Sequence, residues 1–236
     1  MALTQKINIA IDGPAASGKS TTAKFLAKRL AYIYIDTGAM YRAITYLALQ
    51  KNVDLNDSKK ITALAKETSL TFRHTNEQSL LFVNGSDVSQ EIRLPEVTQN
   101  IAPIAANPGV REIMVKKQQE IAKSGGVVMD GRDIGTIVLP NAELKIFMEA
   151  SAEERANRRV KELAIKNVLA DFEKVLSGII KRDESDVTRA HGPLKKANDA
   201  IPIDTTGLTI EAQVTKIYNK AMTIIGKNKS KITINH

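Results

Sequence analysis

Short apolar runs alternate with amphipathic segments along most of the chain. The runs are rich in β-branched residues and are bounded by turn residues, as strands are. They predict strands at residues 6–11, 31–36, 127–130, 144–148 and 200–204. The segments between them repeat their apolar residues at helical spacing, as Ala23, Leu26 and Ala27 do. Strands separated by helices form a parallel sheet covered on both faces, so the pattern predicts an α/β fold with a five-stranded parallel core flanked by helices.

The pattern changes between residues 70 and 89, where three short strand-like runs are joined by polar turns. Asn84-Gly85 lies in one of these turns and is a strong hairpin signal, because both residue types tolerate positive φ. We expect a small antiparallel insert here, flanked by helices around residues 61–66 and 95–106. Since no internal repeat or low-complexity linker separates the insert from the rest, the chain is predicted to be a single folding unit.

Composition narrows the class of protein. The 236 residues are 43% apolar, which is enough for a buried core, and they include no cysteine. Disulfides and thiolate metal sites are therefore excluded, and an intracellular setting is favoured. The first ten residues lack the features of a secretory signal, and no apolar run reaches the ~20 residues that span a bilayer. We expect a cytoplasmic protein that does not contact membranes.

The formal net charge of +8 indicates attraction to anions without identifying the anion. Aromatic residues make up only 4% of the chain and are not interleaved with the basic residues, which disfavours a base-stacking nucleic-acid surface. Part of the charge lies in the last ten residues, which are predicted to be a solvated tail.

The segment after the first predicted strand reads G-x-x-x-x-G-K-[ST] in full. Small residues let successive N–H groups wrap around an anion, and the helix that follows adds its positive N-terminal end. The lysine is predicted to contact the β and γ phosphates of ATP, and the serine hydroxyl to ligate Mg²⁺. A simple glycine-rich turn is the alternative, but the position between a strand and a helix favours a phosphate-binding loop. The residues expected to contact ATP here are Gly13, Pro14, Ala15, Ala16, Ser17, Gly18, Lys19, Ser20 and Thr21.

The second predicted strand ends in "DTGAMYR", which places Thr37 and Gly38 at a helix start and Arg42 one turn later. A hydroxyl, a helix N-terminus and an arginine together predict a second anion site beside the first. The alternative is that Thr37 only caps the helix and Arg42 is solvated.

The third predicted strand ends in "DGRD" at the sheet edge where ligands bind in open α/β folds. Asp130 terminates the apolar run, and we expect it to hold Mg²⁺ through water. Arg132 and Asp133 are predicted to project into the crevice at this edge.

A helix predicted over residues 172–189 carries an apolar stripe that ends at Ile179. Continuing the spacing of the stripe leads to Arg182, Asp186 and Arg189, so charged groups occupy positions that face the interior. Buried charge requires a partner, and a phosphorylated ligand would provide one. The alternative is that the helix emerges from the core here and the charges form solvated pairs.

The crevice is thus predicted to be strongly cationic, with two carboxylates. Its predicted cations are Lys19, Arg42, Arg132, Arg182 and Arg189. Such an excess suits phosphoryl transfer, in which the protein positions two anions and neutralises developing charge. Arg158 and Arg159, on the helix after the fourth predicted strand, are expected either to approach the transferring phosphate or to face solvent.

The blocks "IAIDGPAASGKST", "DTGAMYR", "NGSDVSQEIR", "VREIMVKKQQ", "DGRDIGT" and "RDESDVTRAHGPL" together resemble the bacterial cytidylate kinase family, in the expected order from about residue 7 to residue 206. The resemblance implies transfer of the γ-phosphoryl group of ATP to CMP or dCMP, with Mg²⁺ as cofactor. It also implies a monomer that has no obligatory nucleic-acid partner. The implied parts of the single unit 1–236 are a core at about 1–60 and 108–226, a nucleotide-binding insert at about 61–107 and a short helical lid, without zinc, at about 155–170.

The resemblance also assigns roles to individual residues. The implied catalytic set is Lys19, Arg132, Arg182, Asp186 and Arg189. The implied contacts to CMP are Thr37, Arg42, Arg111, Arg132, Asp133, Arg182, Asp186 and Arg189. Within this set, Arg42, Arg132 and Arg189 hold the phosphate, Arg182 and Asp186 bind the sugar, and Arg111 and Asp133 read the base. Arg158 is an implied contact to ATP.

Hydrogen-bond chemistry agrees with the implied base-reading pair. A carboxylate such as Asp133 accepts from the N4 amino group of cytosine but repels the O4 acceptor of uracil, and Arg111 matches the N3 and O2 acceptors. Ala102 stands where some family members carry a hydroxyl that contacts the base, and Ala15 likewise lacks a hydroxyl. Discrimination against UMP is therefore expected to depend mainly on the pair.

Other functions share parts of this pattern. A kinase for UMP or AMP, or a shikimate kinase, would carry the same loop and sheet. An RNA-binding protein in which the loop is a regulatory switch would fit the positive charge, although no RNA-binding motif is present.

Overall fold

The computed structural model describes residues 6–74, 79–165 and 167–234, and it describes the side chains of these residues except for position 74 and positions 227–234. Its strands are β1 (Ile9–Asp12), β2 (Ile33–Asp36), β3 (Leu70–His74), β4 (Ser79–Val83), β5 (Ser86–Asp87), β6 (Val127–Gly131), β7 (Leu144–Glu149) and β8 (Ile201–Asp204). Its α-helices are α1 (Lys19–Leu30), α2 (Thr37–Gln50), α3 (Ser58–Glu67), α4 (Pro95–Gln99), α5 (Ile101–Ala106), α6 (Pro108–Ala122), α7 (Ala152–Ile165), α8 (Phe172–Thr188) and α9 (Ile210–Ile234).

The central sheet has five parallel strands in the order β2-β6-β1-β7-β8, which confirms the predicted α/β core. β1 lies in the middle and begins at Ile9, three residues later than predicted, because its pairing with both β6 and β7 starts there. The carboxyl ends of β1, β2 and β6 lie side by side, with Asp12 opposite Gly131 and Asp36 opposite Asp130. This edge is where the predicted ligand-binding residues follow the strands.

Helices cover both faces of the sheet, because residues alternate between the faces along each strand. In β1, Ile9 and Ile11 pack with the core formed by α1 and α9, whereas Ala10 packs on the other face with the core of α2, α3 and α6. Ile44 of α2 and Met114 of α6 are fully buried on that second face. The apolar spacing of these helices therefore fixes which surface of each helix meets the sheet.

The antiparallel insert is confirmed as a three-stranded sheet, β3-β4-β5. Asn84 and Gly85 have φ values of 49° and 89° and form the tight turn between β4 and β5. Leu81 and Val83 pack on Ala43 of α2 in a separate small core, so the insert is joined to the main unit by apolar contacts. These contacts fix the position of the insert beside α2.

The segment predicted to be helical around residues 95–106 is confirmed as helical, but it divides at Asn100 into α4 and α5. Pro103 explains the break: in a continuous helix it would remove an interior hydrogen bond, whereas the break places it in the first turn of α5. In the described part of the chain, no helix is both long and apolar enough to cross a bilayer. α9 includes most of the predicted C-terminal tail, but the side chains of that tail lie outside the described residues.

Candidate active site

The loop between β1 and α1 wraps over the N-terminus of α1. Gly13 has a φ of 154°, and a Cβ at this position would collide with the carbonyl oxygen of Met148 at the end of β7, so only glycine fits. Gly18 is the N-cap of α1 and Lys19 is its first residue. The loop thus places backbone N–H groups and the positive end of a helix at the same point, which is the arrangement that binds phosphate.

Side chains from outside hold the loop by its carbonyl groups. The carbonyl of Ala15 accepts from Arg155 Nη1 at 3.2 Å, and that of Ser17 accepts from Arg158 Nη1 at 3.3 Å and from the Thr205 hydroxyl at 3.2 Å. Because the N–H and the carbonyl of a peptide point in opposite directions, these donors turn the adjacent N–H groups toward the concave side of the loop. The loop is therefore pre-organised for an anion.

Lys19 is folded back into the loop. It is only 6% exposed, and its ammonium group donates to the Pro14 carbonyl at 2.9 Å. Burial, followed by the positive charge of Arg132, lowers the pKa of Lys19 to about 7, and Arg182 adds to the effect while Asp130 opposes it. Burial and the nearby cations therefore both disfavour the charge of Lys19, and a bound polyphosphate would favour it.

Ser20 and Asp130 form a pair of oxygen donors beside Lys19. The Ser20 hydroxyl donates to Asp130 Oδ2 at 2.6 Å, and the Tyr34 hydroxyl donates to Oδ1 at 2.8 Å. Burial and the nearby Asp36 carboxylate raise the pKa of Asp130, whereas Lys19 lowers it. Within the described residues, no cluster of three or more His, Cys, Asp or Glu side chains could hold a metal. A hydroxyl and one carboxylate nevertheless fit Mg²⁺, which uses few protein oxygens and completes its shell with water and substrate phosphates.

Asp36, at the end of β2, organises the start of α2. Its side chain accepts from Ala39 N at 2.9 Å and from Arg42 Nη2 at 2.8 Å, and Arg93 of the insert approaches it at 3.7 Å. Burial raises the pKa of Asp36, but Arg42 and Arg93 outweigh burial, so that the pKa lies below its usual value. Arg42 Nε is buried without a hydrogen-bond partner in the described residues, so this guanidinium keeps a donor for a ligand.

Thr37 is held differently from the alternative in which it only caps the helix. Asp36 is the N-cap of α2, and the Thr37 hydroxyl donates to the backbone carbonyl of Asp130 at 2.7 Å. The alternative in which Thr37 is the cap and Arg42 is solvated is therefore wrong. Because the hydroxyl proton is already used, Thr37 has only its lone pairs left to offer a ligand.

Arg111 of α6 and Asp133, which follows β6, form a buried ion pair. Arg111 Nη1 also donates to the Tyr41 hydroxyl at 3.4 Å. Burial raises the pKa of Asp133, although Arg111 and Arg189 oppose this shift. A donor group and an acceptor group thus lie side by side, as the edge of a base requires.

The charged end of α8 faces Arg132. Asp186 accepts from Arg132 Nε at 2.6 Å, and Arg189 Nη1 lies 3.6 Å from the same carboxylate. Burial raises the pKa of Asp186, but Arg132 and the other nearby arginines lower it below its usual value. The side chains of Asp186 and Arg189 are 15% and 12% exposed, so the alternative of solvated pairs on this helix is wrong.

Arg182 differs from its neighbours because it has no direct hydrogen bond or ion pair within the part of the chain that the structure describes. Burial, followed by the charge of Arg132, lowers its pKa to about 10; Asp186 and Asp183 oppose the shift, and Arg42 adds to it. Lys19 is affected by Arg132 and Arg182 as well. The cations of the loop and those of the second site therefore converge on one cleft.

Arg158 and Arg159 of α7, which the sequence left open between phosphate contact and solvation, differ in the structure. Arg158 donates to the Ser17 and Thr205 carbonyls and to Glu154, so the alternative in which it only faces solvent is wrong. Arg159 is exposed and pairs with Glu162, as the solvated alternative predicts. The contact of Arg158 with ATP stays a prediction.

Known proteins resemble the chain over nearly its whole length. The family model described as cytidylate kinase matches residues 9–223. A cytidylate kinase of Geobacillus sp. is 54% identical over 91% of this chain and 96% of its own length, and one of Bacillus subtilis is 53% identical over 91% and 96%. The chain belongs to the cytidylate kinase family. A solved structure of an uncharacterized protein from Eubacterium ventriosum, 16% identical with a TM-score of 0.50, covers 92% of this chain and 99% of its own and shares the fold alone.

This membership confirms the family resemblance seen in the sequence. It favours a cytidylate kinase over the alternatives of an adenylate kinase, a shikimate kinase or an RNA-binding protein. The model match begins at the first residue of β1 and ends in α9, so it includes every element that contributes to the cleft. The members named above are kinases by their printed names, and the chain is an enzyme of the same family.

The residues of the site that were not predicted include Asp12, Tyr34, Asp36, Arg93 and Arg155. In the sequence, Asp12 directly follows an apolar run, as Asp130 does, and that pattern was a signal that could have identified it. Tyr34 reads as an ordinary strand tyrosine, and Arg155 has no feature in the sequence that separates it from the other arginines of α7. Their roles depend on contacts between distant segments.

Proposed function

We propose that the protein transfers the γ-phosphoryl group of ATP to CMP or dCMP and releases ADP and CDP or dCDP. The observation that carries the proposal is the convergence of the loop lysine with the arginines of the second site. Lys19 shares its electrostatic environment with Arg132 and Arg182, and Arg189 shares its environment with Asp133 and Arg111. One cleft thus joins a polyphosphate loop, a phosphate site and a base-reading pair.

Two anions meet in this cleft, and the cations allow them to approach. In the proposal, Lys19 and the loop N–H groups hold the β and γ phosphates, and Arg42, Arg132 and Arg189 hold the acceptor phosphate. The acceptor phosphate is already ionised, so its oxygen attacks the γ-phosphorus without a general base while the bond to ADP breaks. Ser20 and Asp130 would hold Mg²⁺ together with ATP, and the ion would neutralise charge on the phosphates.

Asp186 supports this step without exchanging a proton. Because nearby arginines keep its pKa below the usual value, it is ionised at neutral pH and cannot act as an acid. Its two oxygens instead orient Arg132 and Arg189, which face the acceptor phosphate in the proposal. Arg182, which has no paired carboxylate of its own, is the cation best placed to meet the added negative charge of the ligands.

The proposal extends to the parts of the molecule and to its partners. The insert at about 61–107 binds the acceptor together with the core, and the region at about 155–170 acts as a lid. Arg93 supports the first assignment, because it brings the insert within 3.7 Å of Asp36. The enzyme works as a cytoplasmic monomer with Mg²⁺ and needs no nucleic acid.

An acceptor panel tests the proposed function. The protein is assayed with ATP and Mg²⁺ against CMP, dCMP, UMP, AMP and shikimate under matched conditions, and ADP formation is measured. We expect the highest kcat/KM with CMP or dCMP. A higher kcat/KM with any other acceptor would overturn the proposal.

A further inference from the structure

Asp12 is a buried carboxylate that the proposed reaction does not use. It is the last residue of β1 and is 4% exposed. Oδ1 accepts from the backbone N–H of Ile134 at 2.8 Å, and Oδ2 accepts from that of Gly135 at 2.7 Å. Both oxygens therefore bind the backbone of the same short segment, which follows the neighbouring strand β6.

That segment directly follows the base-reading carboxylate. Ile134–Val138 form a single π-helical turn, and Asp133 is its N-cap residue. An aspartate at an N-cap usually accepts from the first free N–H groups of its own helix. Asp133 makes no such bond, and its carboxylate instead contacts Arg111. Asp12 takes the two N–H groups that Asp133 leaves, so the carboxylate of Asp133 is free to face the cleft.

We propose that Asp12 is a positioning residue for base selection, which caps the turn after β6 from the neighbouring strand and so releases Asp133 to read the base. The inference rests on the proposed function, because that function assigns Asp133 to the base. Asp12 touches neither nucleotide in this account and acts only through the backbone of Ile134 and Gly135.

The neighbourhood of Asp12 separates this role from an effect on the ATP loop. Asp12 precedes Gly13 in the chain, but both of its side-chain hydrogen bonds go to the acceptor segment. Removing them is expected to release Asp133 toward its own turn and to leave the loop carbonyls of Ala15 and Ser17 with their partners. Base selection should therefore change more than ATP binding.

A double-mutant cycle tests the proposal. Asp12→Asn replaces one acceptor by a donor that faces an N–H group, so the KM for CMP should rise about tenfold and the CMP-to-UMP ratio of kcat/KM should fall by a similar factor. The KM for ATP should stay within about twofold, since the loop keeps its own contacts. In an Asp133→Ala background the same change should lower the ratio no further, because the group on which Asp12 acts is gone.

One control variant, one further measurement and one substitute variant complete the design. Asp57→Asn alters an N-cap carboxylate that accepts from Lys60 N at 3.0 Å, far along the chain from the cleft, and should leave all constants unchanged. Hydrogen exchange of the peptide covering residues 131–138 should be faster in Asp12→Asn than in the parent, with or without nucleotides. Asp12→Ser, whose hydroxyl cannot reach both amides, gives the same kinetic comparison if Asp12→Asn does not fold.

An unchanged ratio, an equal loss for ATP and CMP, or additive effects in the Asp133→Ala background would each overturn the inference. Unchanged exchange of residues 131–138 would do the same. Failure of the proposed function is a separate outcome, because the parent would then not phosphorylate CMP, while the exchange measurement would still decide whether Asp12 holds the turn.

Discussion

The donor side of the cleft is one continuous loop, whereas the acceptor side is assembled from separate elements. Gly13 to Ser20 are adjacent in the chain, and the loop presents mainly backbone groups around one lysine. The acceptor side combines side chains from α2, α6, α8 and the end of β6, which already bind one another through ion pairs. One half is built from backbone geometry and the other from paired charges.

This difference determines how each half responds to substitution. Removing the single cation of the loop leaves no neighbouring side chain in the loop to replace it. On the acceptor side several arginines lie close together, and most of them pair with a carboxylate. When one arginine is substituted the others remain, so single substitutions there should have smaller and more specific effects. The predictions below are ordered by the size of the expected effect.

Lys19→Ala should produce the largest loss. Without the ammonium group, the γ-phosphoryl group loses its only charged contact from the loop, and kcat/KM should fall by about 10³-fold. Binding of CMP, measured by calorimetry without ATP, should change by less than about threefold, since the acceptor cations remain. An equal loss of CMP binding would break the distinction between the two halves.

Arg182→Ala should lower kcat by about 10²-fold, because it removes a cation without a paired carboxylate from the cleft. The free energy of unfolding should stay the same or increase, since burial and the neighbouring arginines disfavour the charge of Arg182 more than Asp186 and Asp183 favour it. Steady-state kinetics and urea denaturation measure the two quantities. Arg159→Ala, at an exposed arginine paired with Glu162, is the matched control and should change neither.

Asp133→Asn should alter selectivity more than rate. The amide oxygen can still accept from Arg111, but the amide nitrogen can donate to O4 of uracil. The CMP-to-UMP ratio of kcat/KM should therefore fall by about tenfold or more. A ratio equal to that of the parent would show that the buried pair of Arg111 and Asp133 does not read the base.

Asp12 should make stability depend on pH. Burial raises its pKa from 3.8 to about 6, against the hydrogen bonds from Gly135 and Ile134, while Asp133 raises it further and Lys19 lowers it. Between about pH 4 and pH 6, Asp12 is therefore protonated in the folded state and ionised in the unfolded state. Relative to Asp12→Asn, the parent should lose up to about 3 kcal/mol of unfolding free energy as pH rises through this window.

Denaturant titrations of the two proteins from pH 4.5 to 7.5 measure this difference. If the difference in unfolding free energy between the two proteins is constant over this pH range, the raised pKa of Asp12 is contradicted. An increase with pH would mean that the folded state favours the charged carboxylate and that its two N–H bonds outweigh burial.

The contrast between the halves also explains what could be predicted from the sequence. The five parallel strands and the hairpin follow from local apolar patterns, and the loop follows from one contiguous motif. The break at Asn100 was missed although Pro103, inside the predicted segment 95–106, is a local sequence signal for it. The spacing of apolar residues was enough to predict the fold because each helix and strand must bury one face.

The acceptor side was harder to predict from residues alone. Arg182, Asp186 and Arg189 were found because they interrupt an apolar stripe on one helix. The pairing of Arg111 with Asp133 joins segments that only the tertiary fold brings together, and its role came from the family resemblance. Asp12 and Arg155 act on backbone groups of distant segments, and such contacts leave no periodic trace in the sequence.

The most direct test of two nucleotide sites in one cationic cleft is calorimetric titration of CMP into the protein saturated with a non-hydrolysable ATP analogue and Mg²⁺. The account predicts that CMP binds with one site per chain and is not displaced by the analogue. If the analogue instead abolishes CMP binding by competition, the two halves form a single pocket and the account is contradicted.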